Sequence, residues 1–137
     1  MDLVPVLSRW AHIASMAFLA GGALFAHLAF LPALDDLPES EKTKLGDRVA
    51  DTLRSWIFIA VALLILSGLY NFFHKPMYPP GYHAWFGIKM LAALHIIAVS
   101  ILLGKTGVPH AKRKRWVAGI SISAVVVIGL SAVLRAL

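Results

Sequence analysis

Apolar residues along the chain fall into four long runs separated by shorter polar segments. The runs cover residues 4–34, 56–73, 84–103 and 116–134. A helix that crosses a bilayer needs about 20 mostly apolar residues, and each run approaches or exceeds that length. Backbone groups in lipid are satisfied only in helices or closed barrels, and runs this long are typical of helices. The pattern predicts an all-α fold, an integral membrane four-helix bundle that forms one transmembrane domain over residues 1–137.

Composition agrees with a membrane location. Hydrophobic residues make up 59% of the 137 residues, against roughly 45–50% in soluble domains. The chain has no cysteine, which excludes disulfides, iron–sulfur clusters and thiol catalysis. The formal net charge is +6, but the basic residues flank the apolar runs, so no nucleic-acid partner is expected. The first apolar run is too long for the h-region of a signal peptide, and no such peptide is expected.

The distribution of Lys and Arg predicts the orientation in the membrane. The first and third connections carry nine of them, and the opposite side carries three. The positive-inside rule therefore places both termini on the extracytoplasmic side of the cell inner (plasma) membrane. Residues 35–55 form the predicted cytoplasmic loop, and their alternating charges predict a short amphipathic helix that extends the second span. The basic residues of the first and third connections are Lys42, Lys44, Arg48, Arg54, Lys105, Lys112, Arg113, Lys114 and Arg115. Those of the opposite side are Arg9, Lys75 and Arg135.

Ionisable side chains inside the apolar runs are the first candidates for chemistry, because a bilayer tolerates few of them. His12 and His27 lie in the first run, and Lys89 and His95 lie in the third. Helical spacing predicts that His12, Met16 and His27 share one stripe. The adjacent Gly21 and Gly22 give the same helix a smooth midpoint, where a flat ligand can approach closely.

Two of these histidines predict a b-type haem. The first and third helices run in the same direction, and imidazoles from two helices that face small, apolar residues are typical haem ligands. We expect His12 as the first axial ligand and His95 as the second, with Lys89 as a substitute ligand or a propionate partner. Met16, Gly21 and Gly22 would line the cofactor. The alternative is that each histidine only forms a hydrogen bond to another helix.

A second haem is a less favoured alternative. His12 and His27 have the same spacing as His95 and His110, which would fit two ligand pairs. However, Gly104, Gly107 and Pro109 are expected to end the third helix before His110. His27 is therefore kept as a weaker candidate ligand.

The connection between the second and third runs offers an alternative metal. It contains His74, Met77 and His83 within a segment that is rich in proline and tyrosine. Two imidazoles and a thioether are ligands that copper accepts. These three residues form a weaker candidate copper site.

The motifs of the first three helices resemble a known superfamily. The first helix contains Arg-Trp-Ala-His at 9–12 and Gly-Gly at 21–22, the second contains Leu-Ser-Gly-Leu-Tyr at 66–70, and the third contains His-Ala-Trp-Phe-Gly-Ile-Lys at 83–89. This pattern resembles the copper-resistance D family and the related HemJ-type membrane protoporphyrinogen oxidases. The HemJ resemblance implies haem b and key roles for His12 and Lys89. The copper-resistance resemblance implies copper movement across the membrane. The chain departs from the HemJ type in lacking an Arg after the glycines.

We therefore expect a membrane haem b protein that serves electron transfer or redox chemistry with a quinone or a periplasmic partner. Whether it also acts as an oxidoreductase enzyme is left open by the sequence. Copper binding or transport is one alternative, and a structural small subunit of a larger complex is another. A four-helix unit of this size is expected to form a homodimer.

Overall fold

Four helices account for most of the described chain. The computed structural model describes residues 2–74 and 80–136. Its helices are α1 (Leu3–Ala33), α2 (Glu39–Phe73), α3 (Tyr82–Leu103) and α4 (His110–Ala136). All four are long and apolar enough to cross a membrane, and the described ranges contain no strand. The predicted all-α fold with four membrane-spanning helices is confirmed.

Much of the apolar surface points out of the bundle. Leu66, Leu91 and Ile122 are 65%, 70% and 68% exposed, and many other large apolar side chains are also exposed. Soluble monomers rarely expose large contiguous apolar patches, whereas lipid tails are as apolar as these side chains. The helices are therefore compatible with association with a lipid membrane.

Helices α2 and α4 begin earlier than the apolar runs that predicted them. α2 starts at Glu39 and α4 at His110, whereas the runs start at residues 56 and 116. Hydropathy marks only the apolar part of a helix, while backbone hydrogen bonding continues through its charged turns. The helical extension predicted from the charges of residues 35–55 is confirmed.

Two glycines with positive φ lie in the connections on either side of α3. Gly81 has φ of 80° just before the helix, and Gly107 has φ of 76° beyond it. Residues with a Cβ atom disfavour this conformation, whereas glycine adopts it readily. Because α3 ends at Leu103, the predicted separation of His110 from the third helix is confirmed.

A π-helical turn at Ala26–Phe30 interrupts α1. The Leu31 amide donates to the Ala26 carbonyl, five residues back. The cause is Pro32, which has no N–H and whose ring would clash with the carbonyl four residues earlier in a regular α-helix. The π-helical turn takes up one more residue than an α-helical turn.

The helices form a ring in which α1 and α3 occupy opposite corners. α1 packs on α2 and α4, and α3 packs chiefly on α4. Small residues of α1 allow this close packing, and Ile96 of α3 and Ile120 of α4 are each only 1% exposed. The central cluster consists of Ala20, Ala23, Ile96, Ile120, Ala124 and Val127.

The two ends of the bundle differ in charge. The end formed by residues 34–46 and 104–115 is called the basic end below, and the end that carries both termini is called the terminal end. Residues 35–55 and 104–115 together contain nine Lys and Arg side chains against six Asp and Glu. Five of the nine lie in the α3–α4 segment alone, so this segment is the most cationic part of the basic end.

A buried ion pair holds the basic end together. The Arg113 side chain is 5% exposed, and its Nη2 donates to Asp47 Oδ1 at 2.6 Å and to the Lys105 carbonyl at 3.3 Å. The guanidinium lies against Gly46, where a Cβ atom would collide with it. Asp47 also accepts a hydrogen bond from the Gly107 amide at 2.9 Å. The pair therefore ties α2 both to α4 and to the α3–α4 connection.

A second polar contact joins the α1–α2 connection to α4. His110 Nε2 and Lys114 Nζ each lie 3.0 Å from Asp35 Oδ1. The hydrogen bonds from His110 and then from Lys114 hold the pKa of Asp35 below its ordinary value of 3.8. The contact therefore depends on an ionised Asp35 carboxylate.

We expect Asp35→Asn to lower the melting temperature at neutral pH and to have no such effect in acid. Because the folded-state pKa of Asp35 lies below 3.8, the carboxylate stabilises the protein above that pH. This stabilisation is lost as the pH falls through the lowered pKa. Thermal unfolding of both proteins against pH measures the difference, with Asp36→Asn as an exposed carboxylate control. A difference that persists unchanged in acid would contradict the prediction.

Candidate functional site

His12 is held by a serine of the neighbouring helix. Its Nδ1 lies 3.1 Å from Oγ of Ser67 on α2. The Ser67 hydroxyl also lies within hydrogen-bond distance of the Leu63 and Leu64 carbonyls. When it donates to one of them it accepts from His12. The neutral ring then carries its proton on Nδ1 and its lone pair on Nε2, from which an imidazole can bind a metal.

Lys89 of α3 belongs to the same region. Its side chain is half-buried, and its ammonium lies within electrostatic range of the His12 ring and of Arg135 near the end of α4. No described Asp or Glu forms an ion pair with Lys89 among residues 2–74 and 80–136. The predicted residues His12 and Lys89 thus influence each other electrostatically, and Arg135 is a second cation that acts on Lys89.

Ser15 is a further polar group on the same stretch of α1. It lies one turn beyond His12 and is 3% exposed. Its Oγ has no hydrogen-bond partner within the described part of the chain. A buried hydroxyl without a partner is costly and is typical of a place where a water molecule or a ligand supplies one.

His95 faces a different neighbour. Its Nδ1 lies 2.7 Å from Oγ of Ser123 on α4, and the ring packs over Gly119, where a Cβ atom would lie 3.3 Å from Cε1. The residue as a whole is exposed. The two predicted axial ligands therefore have different serine partners on different helices, although both rings use Nδ1 for that contact.

The other predicted residues of the first helix occupy different surroundings. Met16 packs against two core clusters. Gly21 and Gly22 are exposed, and a Cβ atom at either position would have nothing within 4 Å. His27 is exposed within the π-helical turn, whereas His12 is half-buried, so the expected shared stripe does not give these two histidines the same environment.

The structure describes two of the three residues of the weaker candidate copper site. His74 is exposed, its Nδ1 lies 2.9 Å from the Tyr70 carbonyl, and its ring stacks on Tyr70. His83 is exposed and meets Tyr82 edge to face. Met77 lies outside the described residues. Within residues 2–74 and 80–136, no group of three or more His, Cys, Asp or Glu side chains is arranged to hold a metal ion.

The sequence analysis missed the partners of the two histidines. Ser67 and Ser123 are small polar residues within apolar runs, and such residues commonly form hydrogen bonds between membrane helices. That signal was available from the sequence. The proximity of Arg135 to Lys89 was not, because it depends on how α3 and α4 pack.

Comparisons of the chain with protein-family models, with curated proteins and with solved structures return no match. The resemblance to the copper-resistance D and HemJ-type proteins therefore stays a prediction.

Proposed function

We propose that this protein binds haem b within the membrane and uses it for electron transfer or redox chemistry. The observation that carries the proposal is the hydrogen bond between His12 Nδ1 and Ser67, at 3.1 Å. This contact orients the ring, and with the proton on Nδ1 it leaves Nε2 as a lone-pair donor, which is how a second residue usually orients a histidine that binds a metal.

The groups around His12 fit a haem. A porphyrin carries two propionates, and Lys89 and Arg135 supply nearby cations that no described acidic residue neutralises. Ser15 supplies a buried hydroxyl without a described partner. Imidazole is a common axial ligand to haem iron. His12 therefore suits the role of one axial ligand, and the two cations suit the binding of the propionates.

The second axial ligand is His95 in our proposal, with Lys89 as its substitute. The electrostatic proximity of Lys89 to His12 supports Lys89. The Nδ1 contact of His95 with Ser123 supports His95, because it repeats the arrangement seen at His12. His27 stays a weaker candidate, as predicted from the sequence.

The role of the protein follows from the placement of this site. When bound, haem supplies reversible one-electron chemistry. Ser67 orients the half-buried His12 ring. We propose that electrons pass to a quinone or to a periplasmic partner. We also propose that both termini lie on the extracytoplasmic side of the inner membrane and that the protein forms a homodimer.

A visible absorption spectrum tests the proposal. Protein purified from haem-replete cells is expected to be red, with a Soret band that shifts when the iron is reduced from Fe(III) to Fe(II). The pyridine haemochrome spectrum identifies the haem type. A colourless preparation that gains no band after haem addition would exclude haem binding.

Copper remains the alternative predicted from the sequence. His74 contacts Tyr70, and His83 contacts Tyr82. Metal analysis of wild-type protein and of a His74, Met77, His83 triple alanine variant separates the alternatives. Equal copper content in both proteins would exclude this site.

A further inference from the structure

A cleft lies between α2 and α3 next to the basic end. Its volume of about 360 Å³ falls within the usual range for ligand sites, about 300–1,000 Å³. None of the residues proposed for haem or copper is among its described lining residues, so an inference about the cleft depends on neither metal. The lining residues are Arg54, Phe58, Ile101, Gly104, Lys105 and Thr106.

The lining changes from apolar to cationic along the membrane normal. Phe58 and Ile101 are 49% and 38% exposed. Each lies about one turn closer to the middle of the membrane than the nearest cation along the chain, Arg54 or Lys105. Trp56 lies between Arg54 and Phe58 on α2 and is 60% exposed, and exposed tryptophan is typical of the boundary between hydrocarbon and headgroups. The two cations therefore lie at the level of the headgroups, and the apolar pair faces the hydrocarbon.

Hydrogen bonds hold the two cations in the same place. Arg54 Nε donates to the Gly104 carbonyl at 2.8 Å, so α2 is bonded to the residue that precedes Lys105. The carbonyl of Lys105 itself accepts from Arg113 of α4 at 3.3 Å. Two residues further on, the Gly107 amide donates to a carboxylate of α2 at 2.9 Å. This segment is therefore fixed to both α2 and α4, and it presents the Lys105 side chain to the cleft that Arg54 also lines.

Both cations can accept a further anion. Arg54 Nη2 lies 3.0 Å from Asp51 on the same helix, in an exposed pair of a kind that contributes little to stability. Neither this contact nor the bond to Gly104 uses Nη1, and a guanidinium has five N–H donors. Lys105 is exposed and forms no ion pair with any residue in the described ranges. The described lining therefore carries two positive charges, against the one negative charge of Asp51 beside it.

We propose that the cleft binds an anionic phospholipid from the leaflet at the basic end, with the lipid phosphate between Arg54 and Lys105. One acyl chain lies along Phe58 and Ile101, and the Thr106 hydroxyl is a further donor to a phosphate oxygen. Guanidinium and ammonium groups form strong charge-assisted hydrogen bonds with phosphate. Phosphatidylcholine has the same phosphate but brings a cationic choline next to the two cations, so the cleft prefers phosphatidylglycerol.

Charge variants at Lys105 test the phosphate contact. Each protein is extracted from membranes with equal phosphatidylglycerol and phosphatidylcholine, and retained lipid is measured by native mass spectrometry. We expect wild type to retain more phosphatidylglycerol than phosphatidylcholine, and Lys105→Gln to retain about fivefold less phosphatidylglycerol because one attractive charge is lost. Lys105→Arg keeps the charge and should match wild type. Lys44→Gln is the control, since it removes the same charge from an exposed position at the basic end that does not line the cleft.

Competition distinguishes a lipid from free phosphate. Excess inorganic phosphate should not displace phosphatidylglycerol from wild type, because only the lipid gains apolar contacts with Phe58 and Ile101. Phe58→Ala should lower the retention of phosphatidylglycerol. Ile59→Ala should not, because this neighbouring exposed residue does not line the cleft.

Equal retention of phosphatidylglycerol by wild type and Lys105→Gln would overturn the proposal, as would equal retention of both lipids by wild type. So would the same loss in Lys44→Gln as in Lys105→Gln, because charge anywhere at the basic end would then suffice. Displacement by inorganic phosphate, or unchanged retention in Phe58→Ala, would show that no acyl chain occupies the cleft and would overturn the proposal too.

Discussion

Replacing Arg113 with Met is expected to lower the free energy of unfolding by about 3 kcal/mol, because it breaks a buried ion pair and leaves the partner charge uncompensated. The Arg113 side chain is 5% exposed and that of Asp47 is 30% exposed. Partial access of water to Asp47 keeps the cost toward the lower end of the range for buried pairs. The hydrogen bond to the Lys105 carbonyl is lost as well. Reversible unfolding by a denaturing detergent measures the change.

The control is the exposed neighbour Arg115. Arg115→Met removes the same charge from the same helix, and its effect is expected to stay within about 0.5 kcal/mol, as for most surface substitutions. Adding Asp47→Leu to Arg113→Met should recover part of the loss, because no charge is then left unpaired. Equal stability of Arg113→Met and Arg115→Met would show that the ion pair does not hold the basic end together.

Replacing His12 with Ala is expected to reduce bound haem by about tenfold or more, since an axial iron–nitrogen bond is lost. His27→Ala is the matched control, because it removes an imidazole from the same helix at an exposed position. Haem per protein, measured from the pyridine haemochrome spectrum, should be unchanged in His27→Ala. Melting curves of both variants without haem distinguish a lost ligand from a lost fold.

The Ser67→Ala variant tests how the orientation of the His12 ring affects haem binding while the ring itself is kept. Without the hydroxyl, His12 keeps its nitrogen atoms but loses the acceptor at Nδ1. Such supporting contacts typically contribute 10–100-fold to metal affinity, so haem should be retained less tightly and with a changed reduction potential. Haem content equal to wild type in both His12→Ala and Ser67→Ala would exclude His12 as a ligand.

The sequence predicted the helices well because membrane spans are a strong one-dimensional signal. Four apolar runs gave the number and order of the helices, and Gly104 with Gly107 gave the end of α3. The apolar runs alone start later than α2 and α4, since Glu39 and His110 begin turns that lie outside them. For α2 the charges of residues 35–55 predicted the missing turns, and for α4 the start was predicted too late. Helical hydrogen bonding does not require apolar side chains.

The site was less predictable because it depends on which helices are neighbours. Helical spacing placed His12 on a packed face of α1, where the half-buried residue lies. Spacing along α1 could not predict that the ring would form a hydrogen bond with Ser67 of α2. The expectation was one site between α1 and α3, based on their common direction. They occupy opposite corners, so His95 reaches Ser123 on α4. Pairing of helices is set by three-dimensional packing and leaves little trace in hydropathy.

The π-helical turn in α1 has a consequence for how the chain tolerates changes in length. Before the turn, Ala20 and Ala23 contribute to the central cluster, and after it Leu31 and Leu34 pack with Val117. The wider turn takes up its extra residue with little change in the rotational phase between these two contact sets. Deleting one residue from 26–30 would give back a regular α-helical turn and keep both sets facing their partners, whereas a deletion elsewhere in α1 would rotate one set by about 100°. This short segment is therefore the part of α1 best able to absorb a deletion.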